Sequence, residues 1–160
     1  RSDKRYDVII IDLPDPNNEG LGKLYSRTFY RLVLQHLSAV GVMVTQATSP
    51  FYSTNTFWCI ANTLAASSLN HEATGNIHTL PYHASVPSFG DWGFVLAALR
   101  PITPENIHLA DIPTRFLSRE LLPTLFVFPK DIGPRLTPLN NIDNLVILRL
   151  YDQDYKRYSH

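Results

Sequence analysis

The run Tyr6-Asp7-Val8-Ile9-Ile10-Ile11-Asp12-Leu13-Pro14-Asp15-Pro16-Asn17 limits what this chain can fold into more than any other stretch. Val8 to Ile11 are apolar and β-branched without alternation, the pattern of a strand covered on both faces in a parallel sheet flanked by helices. Such a strand is internal. Pro14 and Pro16 remove backbone donors and fix φ, so the chain leaves the sheet at Asp12 and holds Asp15 on a stiff turn. Ligands of open α/β sheets bind beyond the carboxyl ends of the strands, which makes Asp12 and Asp15 the first site candidates.

Downstream the pattern alternates between helix and strand. Glu19-Gly20-Leu21-Gly22-Lys23 reads as a flexible link, and Tyr25, Phe29, Val33 and Leu37 recur at the spacing of a buried helical stripe. Arg27, Arg31 and Gln35 then form its solvated side. Val40 to Thr45 is a second strand, completing a parallel crossover unit that ends at Gln46. Ser53 or Thr54 can cap a second helix with Phe57, Ile60, Ala61 and Leu64 on its inner face, closed by Ser67, Ser68, Asn70 and Gly75.

Ile77 to Tyr82 and Trp92 to Leu99 read as the third and fourth strands. The intervening Ala84 to Asp91 is a loop too long for a tight hairpin and carries a large aromatic, Phe89, among turn residues. If the third strand runs parallel to the first two, this loop opens beside Asp15 and Gln46. Beyond Arg100 the pattern weakens: Thr103-Pro104-Glu105 resembles a helix start, and Phe116 to Phe128 mixes helical and extended signals. Asn144 to Tyr151 reads as a last strand and Asp152 to His160 as a polar tail.

Composition narrows the function classes. The 160 residues fit one ordinary domain, and Lys plus Arg balance Asp plus Glu at 14 each, so no general field draws nucleic acid or an anionic membrane. Cys59 is the single cysteine, which excludes a disulfide framework and a multi-cysteine zinc site and fits a reducing, cytoplasmic compartment. It lies in an apolar stretch and reads as a buried small hydrophobe. No apolar run approaches the ~18 residues of a membrane span. The chain opens without Met and reaches a buried-type strand by residue 8, the pattern of a piece cut from a longer protein.

The converging edge presents Asp12, Asp15, Gln46, Phe89, Asp91 and Trp92, with Tyr25 and Tyr52 in reach. Carboxylates, an amide and aromatic faces suit a cationic amine through charge-assisted hydrogen bonds and cation–π contact. A Gly-rich phosphate loop and a GxSxG nucleophile elbow are both missing from the sequence. His78 and His83 are five apart, an odd spacing that puts them on opposite faces of a strand, so no metal site is read there.

Asp7 to Pro16, then Leu24-Tyr25-Ser26 and Phe29-Tyr30, resemble the spermidine synthase family of polyamine aminopropyltransferases. Gln46, Val86-Pro87-Ser88-Phe89-Gly90-Asp91-Trp92-Gly93-Phe94 and, more loosely, Arg115 to Pro129 continue the resemblance in order. It implies the C-terminal half of a Rossmann-like, methyltransferase-type three-layer α/β domain, mostly parallel with an antiparallel hairpin, over residues 1–160. It implies Asp15 as general base, with Asp12, Gln46, Phe89, Asp91 and Trp92 around the substrate. The co-substrate would be decarboxylated S-adenosylmethionine, whose binding half lies upstream of the matched motifs, with a small polyamine as partner and no metal.

Phe89 stands where many members carry a tyrosine, which bears on amine choice. Some members with this loop carry membrane helices further upstream. The free edge of the first strand calls for self-association, pairing with the missing half, or cover by Asn144 to Leu150. A non-catalytic amine-binding domain and an S-adenosylmethionine-dependent methyltransferase are the alternative functions.

Overall fold

A computed structural model describes residues 4–68 and 77–157. Its elements are β1 (Tyr6–Ile11), α1 (Glu19–Lys23), α2 (Arg27–Leu34), β2 (Leu37–Gln46), α3 (Thr54–Ala65), β3 (His78–Val86), β4 (Gly90–Ala98) and α4 (Val146–Lys156). Short 3-10 turns cover Pro104–Asn106 and Leu122–Phe126. The strands form one sheet in the order β1-β2-β4-β3. β1 pairs parallel with β2, while β4 runs antiparallel to both β2 and β3. β3 therefore points the same way as β1 and β2, and the ends of all three open on one edge.

The core lies on one face of this mixed α/β sheet. Met43, Val95 and Ala97 meet Phe57, Ile60 and Leu64 of α3, Tyr30 and Leu34 of α2, and Ile147 of α4. Each large apolar side chain buried there contributes about 1.5–3 kcal/mol. On β1 the alternation is plain: Ile9 and Ile11 pack against the core, whereas Val8 is 61% and Ile10 73% exposed. The uniform apolar run implied an internal strand covered twice. Instead β1 is the sheet's edge among the described residues, since β4 takes the other side of β2 and no described segment pairs beyond β1.

Several local expectations give way to tighter structure. The segment read as a flexible link is α1, capped by Asn18, whose Oδ1 accepts the Leu21 N–H at 3.0 Å. α2 is shorter than the four-residue spacing implied. Ser26 caps it, Tyr30 and Leu34 are its buried residues, and Leu37 already opens β2. α3 does bury Phe57, Ile60, Ala61 and Leu64. Asn70 and Gly75, expected to close it, lie outside the described residues.

The loop between β3 and β4 is a tight hairpin, not a long excursion. Val86 pairs with Gly90, leaving Pro87, Ser88 and Phe89 at the tip. The Phe89 N–H donates to Val86 O at 3.1 Å, Pro87 fixes the first corner, and Ser88 takes φ 75° at the second. Gly90 follows at φ 79°, where glycine carries no steric cost.

Asn144 to Tyr151 is not a strand, and Asp152 onward is not a loose tail. Val146–Lys156 is α4, burying Val146, Ile147 and Asp154 against α3. It therefore cannot cover the edge of β1. Among the described residues no helix is long and apolar enough to cross a membrane.

Candidate amine site

The edge where β1, β2 and β3 end holds a cavity of about 880 Å³. Ile10 and Val44 form part of its floor with Tyr82 and Phe94, whose rings stack at 5.1 Å across the β3–β4 pair. Asp12, Asp15, Gln46, Phe89 and Trp92 line it as well, so five of the residues read from the sequence meet there. Phe89 and Trp92 approach at 5.3 Å between ring centroids, and Phe89, on the hairpin tip, is 61% exposed. No Lys, Arg or His is among the described lining residues, which leaves the carboxylates as the charged groups of the cavity.

Asp91 does not join them. Trp92 and Phe94 face the cavity, and strand alternation turns Asp91 the other way. There its Oδ1 lies 2.6 Å from His83 Nδ1, while His83 Nε2 lies 2.9 Å from Val127 O. Tyr52 is exposed. Asp12 sits exposed on the cavity wall with no side-chain hydrogen bond among the described residues.

Asp15 is held from several sides. Gln46 Nε2 donates to Oδ1 at 3.0 Å, and Thr48 Oγ1 and Tyr151 OH donate to Oδ2 at 3.3 and 3.0 Å. Gln46 is itself oriented, because the Tyr25 hydroxyl donates to its Oε1 at 2.7 Å. Flipping the amide would bring its oxygen against the carboxylate, so this network has one satisfied sense. Burial first, then Tyr30 and the carboxylates of Asp15 and Asp12, push the Tyr25 phenol far above its ordinary value. It stays protonated and keeps donating. Burial does the same to Tyr151, aided by Tyr155 and Asp15.

Thr48 shows local strain. It is fully buried with φ 61°, a left-handed conformation that costs a β-branched residue about 1–3 kcal/mol. Its carbonyl accepts the Gly93 N–H at 2.7 Å, and its hydroxyl reaches Asp15. Gly93 permits this approach: a Cβ there would stand 2.4 Å from the Phe57 ring and 2.8 Å from Thr48 O.

Thr48 and Tyr151 were not among the residues singled out from the sequence. For Tyr151 a signal existed, since Ile147, Tyr151 and Asp154 fall on one helical face at i, i+4 and i+7. The β-branched pair at its start obscured that period. Thr48 carried no local signal, as its conformation follows from packing against β4.

An oriented carboxylate in a cation-free, aromatic-walled cavity can bind an ammonium group and accept its proton. The chain matches the family model of the spermine/spermidine synthase domain over residues 1–101. It is 37% identical to a polyamine aminopropyltransferase of Leptospira interrogans over 98% of this chain and 29% of that protein. Against polyamine aminopropyltransferase 2 of Ralstonia nicotianae it is 40% identical, over 94% of this chain and 28% of that one. The chain thus spans less than a third of the length of these relatives.

Among solved structures, a spermidine synthase in complex with the transition-state analogue AdoDATO aligns with a TM-score of 0.61 and 24% identity, over 81% of this chain and 44% of that one. The Thermotoga maritima spermidine synthase gives 0.58 and 23%, over 81% and 43%. At these identities the likeness concerns the fold.

Proposed function

The chain belongs to the spermine/spermidine synthase family, and on that premise we propose that it forms the amine-binding and proton-accepting part of a polyamine aminopropyltransferase. The observation that carries the reading is the Asp15 carboxylate, held by Gln46, Thr48 and Tyr151 at the wall of a cavity with no described basic residue. The substrates in this reading are a di- or polyamine and decarboxylated S-adenosylmethionine. The carbon of the propyl chain next to sulfur passes to the amine nitrogen, the carbon–sulfur bond breaks with its electron pair going to sulfur, and methylthioadenosine leaves.

The chemistry needs a base. An alkyl ammonium with a lysine-like pKa of ~10.4 is only about four parts in ten thousand neutral at pH 7, a deficit of roughly 4–5 kcal/mol. Asp15 takes that proton as the nitrogen attacks. Asp12 adds a second negative charge for the ammonium, and Phe89 and Trp92 offer aromatic faces to it. Gln46 commits its oxygen to Tyr25 and one N–H to Asp15, so it orients Asp15 while lining the cavity beside it.

The test is Asp15→Asn in the whole protein, assayed for aminopropyl transfer to putrescine. A positioned base contributes ~10² to 10⁴ in rate, and a loss in turnover of at least ~10² is expected. Turnover near wild type at saturating diamine, with chemistry rate-limiting, removes Asp15 from the base role. Tight polyamine binding with no transfer by the wild-type protein would instead make this a binding domain.

A further inference from the structure

The two oxygens of Asp15 are not equivalent. An ionised carboxylate offers about four lone-pair sites, two on each oxygen. Oδ2 receives two hydroxyl donors, Thr48 Oγ1 at 3.3 Å and Tyr151 OH at 3.0 Å. Oδ1 receives one, the Gln46 amide at 3.0 Å. The free acceptor site of this carboxylate is therefore on Oδ1.

We propose that Oδ1 is the atom of Asp15 that takes the substrate proton, and that Tyr151, arriving from α4, is a positioning residue that occupies Oδ2 and thereby selects it. The inference rests on the base role proposed for Asp15. In the step it describes, the ammonium N–H bond breaks and its electron pair stays on nitrogen for the attack on carbon. The proton forms an O–H bond on Oδ1 and leaves later to water in the cavity.

Tyr151 is built for this task. It lies 136 positions from Asp15 in sequence, so no local turn brings them together. Its helix is anchored independently, through Asp154 on the start of α3. Its ring packs at 4.6 Å from Tyr155, restricting the side chain, and its phenol stays protonated. Tyr151 also lines the cavity beside Asp15.

The experiment compares Tyr151→Phe, Asp15→Asn and the double variant in the whole protein, with putrescine as amine and the melting midpoint as a folding control. Loss of one hydrogen bond to a charged acceptor corresponds to about a tenfold to hundredfold effect. Tyr151→Phe should lower kcat by about tenfold or more with the amine KM within about twofold, at an unchanged melting midpoint. In the Asp15→Asn background the same change should have no further effect.

An unchanged kcat, a loss expressed in KM alone, or an undiminished loss in the Asp15→Asn background each overturns the proposal. If Asp15→Asn itself turns over normally, the base reading falls. If Asp15→Asn is inactive while Tyr151→Phe is not impaired, only the role of Tyr151 falls.

Discussion

The buried carboxylate of Asp154 sits on the start of α3, where Oδ2 accepts both the backbone N–H and the hydroxyl of Thr56 at 2.9 Å. Oδ1 accepts the Asn55 amide at 2.6 Å. Ser53, the residue at the cap position, makes no side-chain cap bond, and the orphan backbone N–H of Thr56 is met from across the core instead. Asp154→Ala strands these donors and should destabilise the protein by about 2–4 kcal/mol in urea unfolding. Asp154→Asn keeps one acceptor oxygen for the two Thr56 donors and loses only the one that faces Asn55, so it should cost less than Asp154→Ala. Equal losses in the two variants would mean that packing, not hydrogen bonding, sets the contribution of Asp154.

Gly93 makes a second structural prediction. Its missing Cβ lets β4 lie against Phe57 and the Thr48 carbonyl. Gly93→Ala should cost about 1–3 kcal/mol through overpacking. Phe57→Leu opens room at the same place, so Gly93→Ala should be milder in that background. Strict additivity of the two changes would show that the ring contact is not the cause.

What was legible in the sequence had short range. Asp12 and Asp15 at a strand end, Gln46 after β2, and Phe89 and Trp92 where the third strand passes into the fourth were readable because a strand period and two prolines fix where each segment stops. The one-sided burial of β1 was not, since Val8 to Ile11 have the same composition whether one face is covered or two. Asp91 was misplaced because the strand parity of β4 depends on where the hairpin turns, and Ser88 takes the left-handed corner that glycine would have announced. The partners of Asp15 from Thr48 and Tyr151 were out of reach because tertiary packing alone joins them.

Cys59 gives the alkaline behaviour a sign. It is fully buried, and burial pushes its thiol up to about 11 from an ordinary 9.0. Below about pH 8 the thiol is neutral in both states and contributes nothing to pH dependence. Above it the unfolded chain loses the proton first, so the folded state binds more protons and stability falls as pH rises toward about 11. The slope is at most about 1.4 kcal/mol per pH unit. Tyr25 and Tyr30, whose phenols burial also raises, add the same sign above about pH 10. Urea midpoints between about pH 9 and pH 10 should decline in the wild type and flatten in Cys59→Ala. Parallel declines would assign the effect elsewhere.

The outer edge of β1 carries the last prediction. Parallel pairing with β2 satisfies one side of the strand, and the N–H and C=O groups that point away from β2 have no strand beside them among the described residues. Val8 and Ile10 add exposed apolar surface to that edge. An unpaired, apolar strand edge templates pairing with another chain, and α4 is committed to α3 and cannot shield it. The 160-residue chain by itself should therefore self-associate through Val8–Ile11 in a concentration-dependent way, visible by sedimentation or solution scattering. Val8→Lys places a charge on the edge without touching the core and should shift the equilibrium toward monomer. Amide exchange at the outward N–H groups of this strand should slow as concentration rises. A wild-type chain that stays monomeric, with those amides exchanging rapidly at every concentration, would show that exposure of the edge alone does not drive pairing.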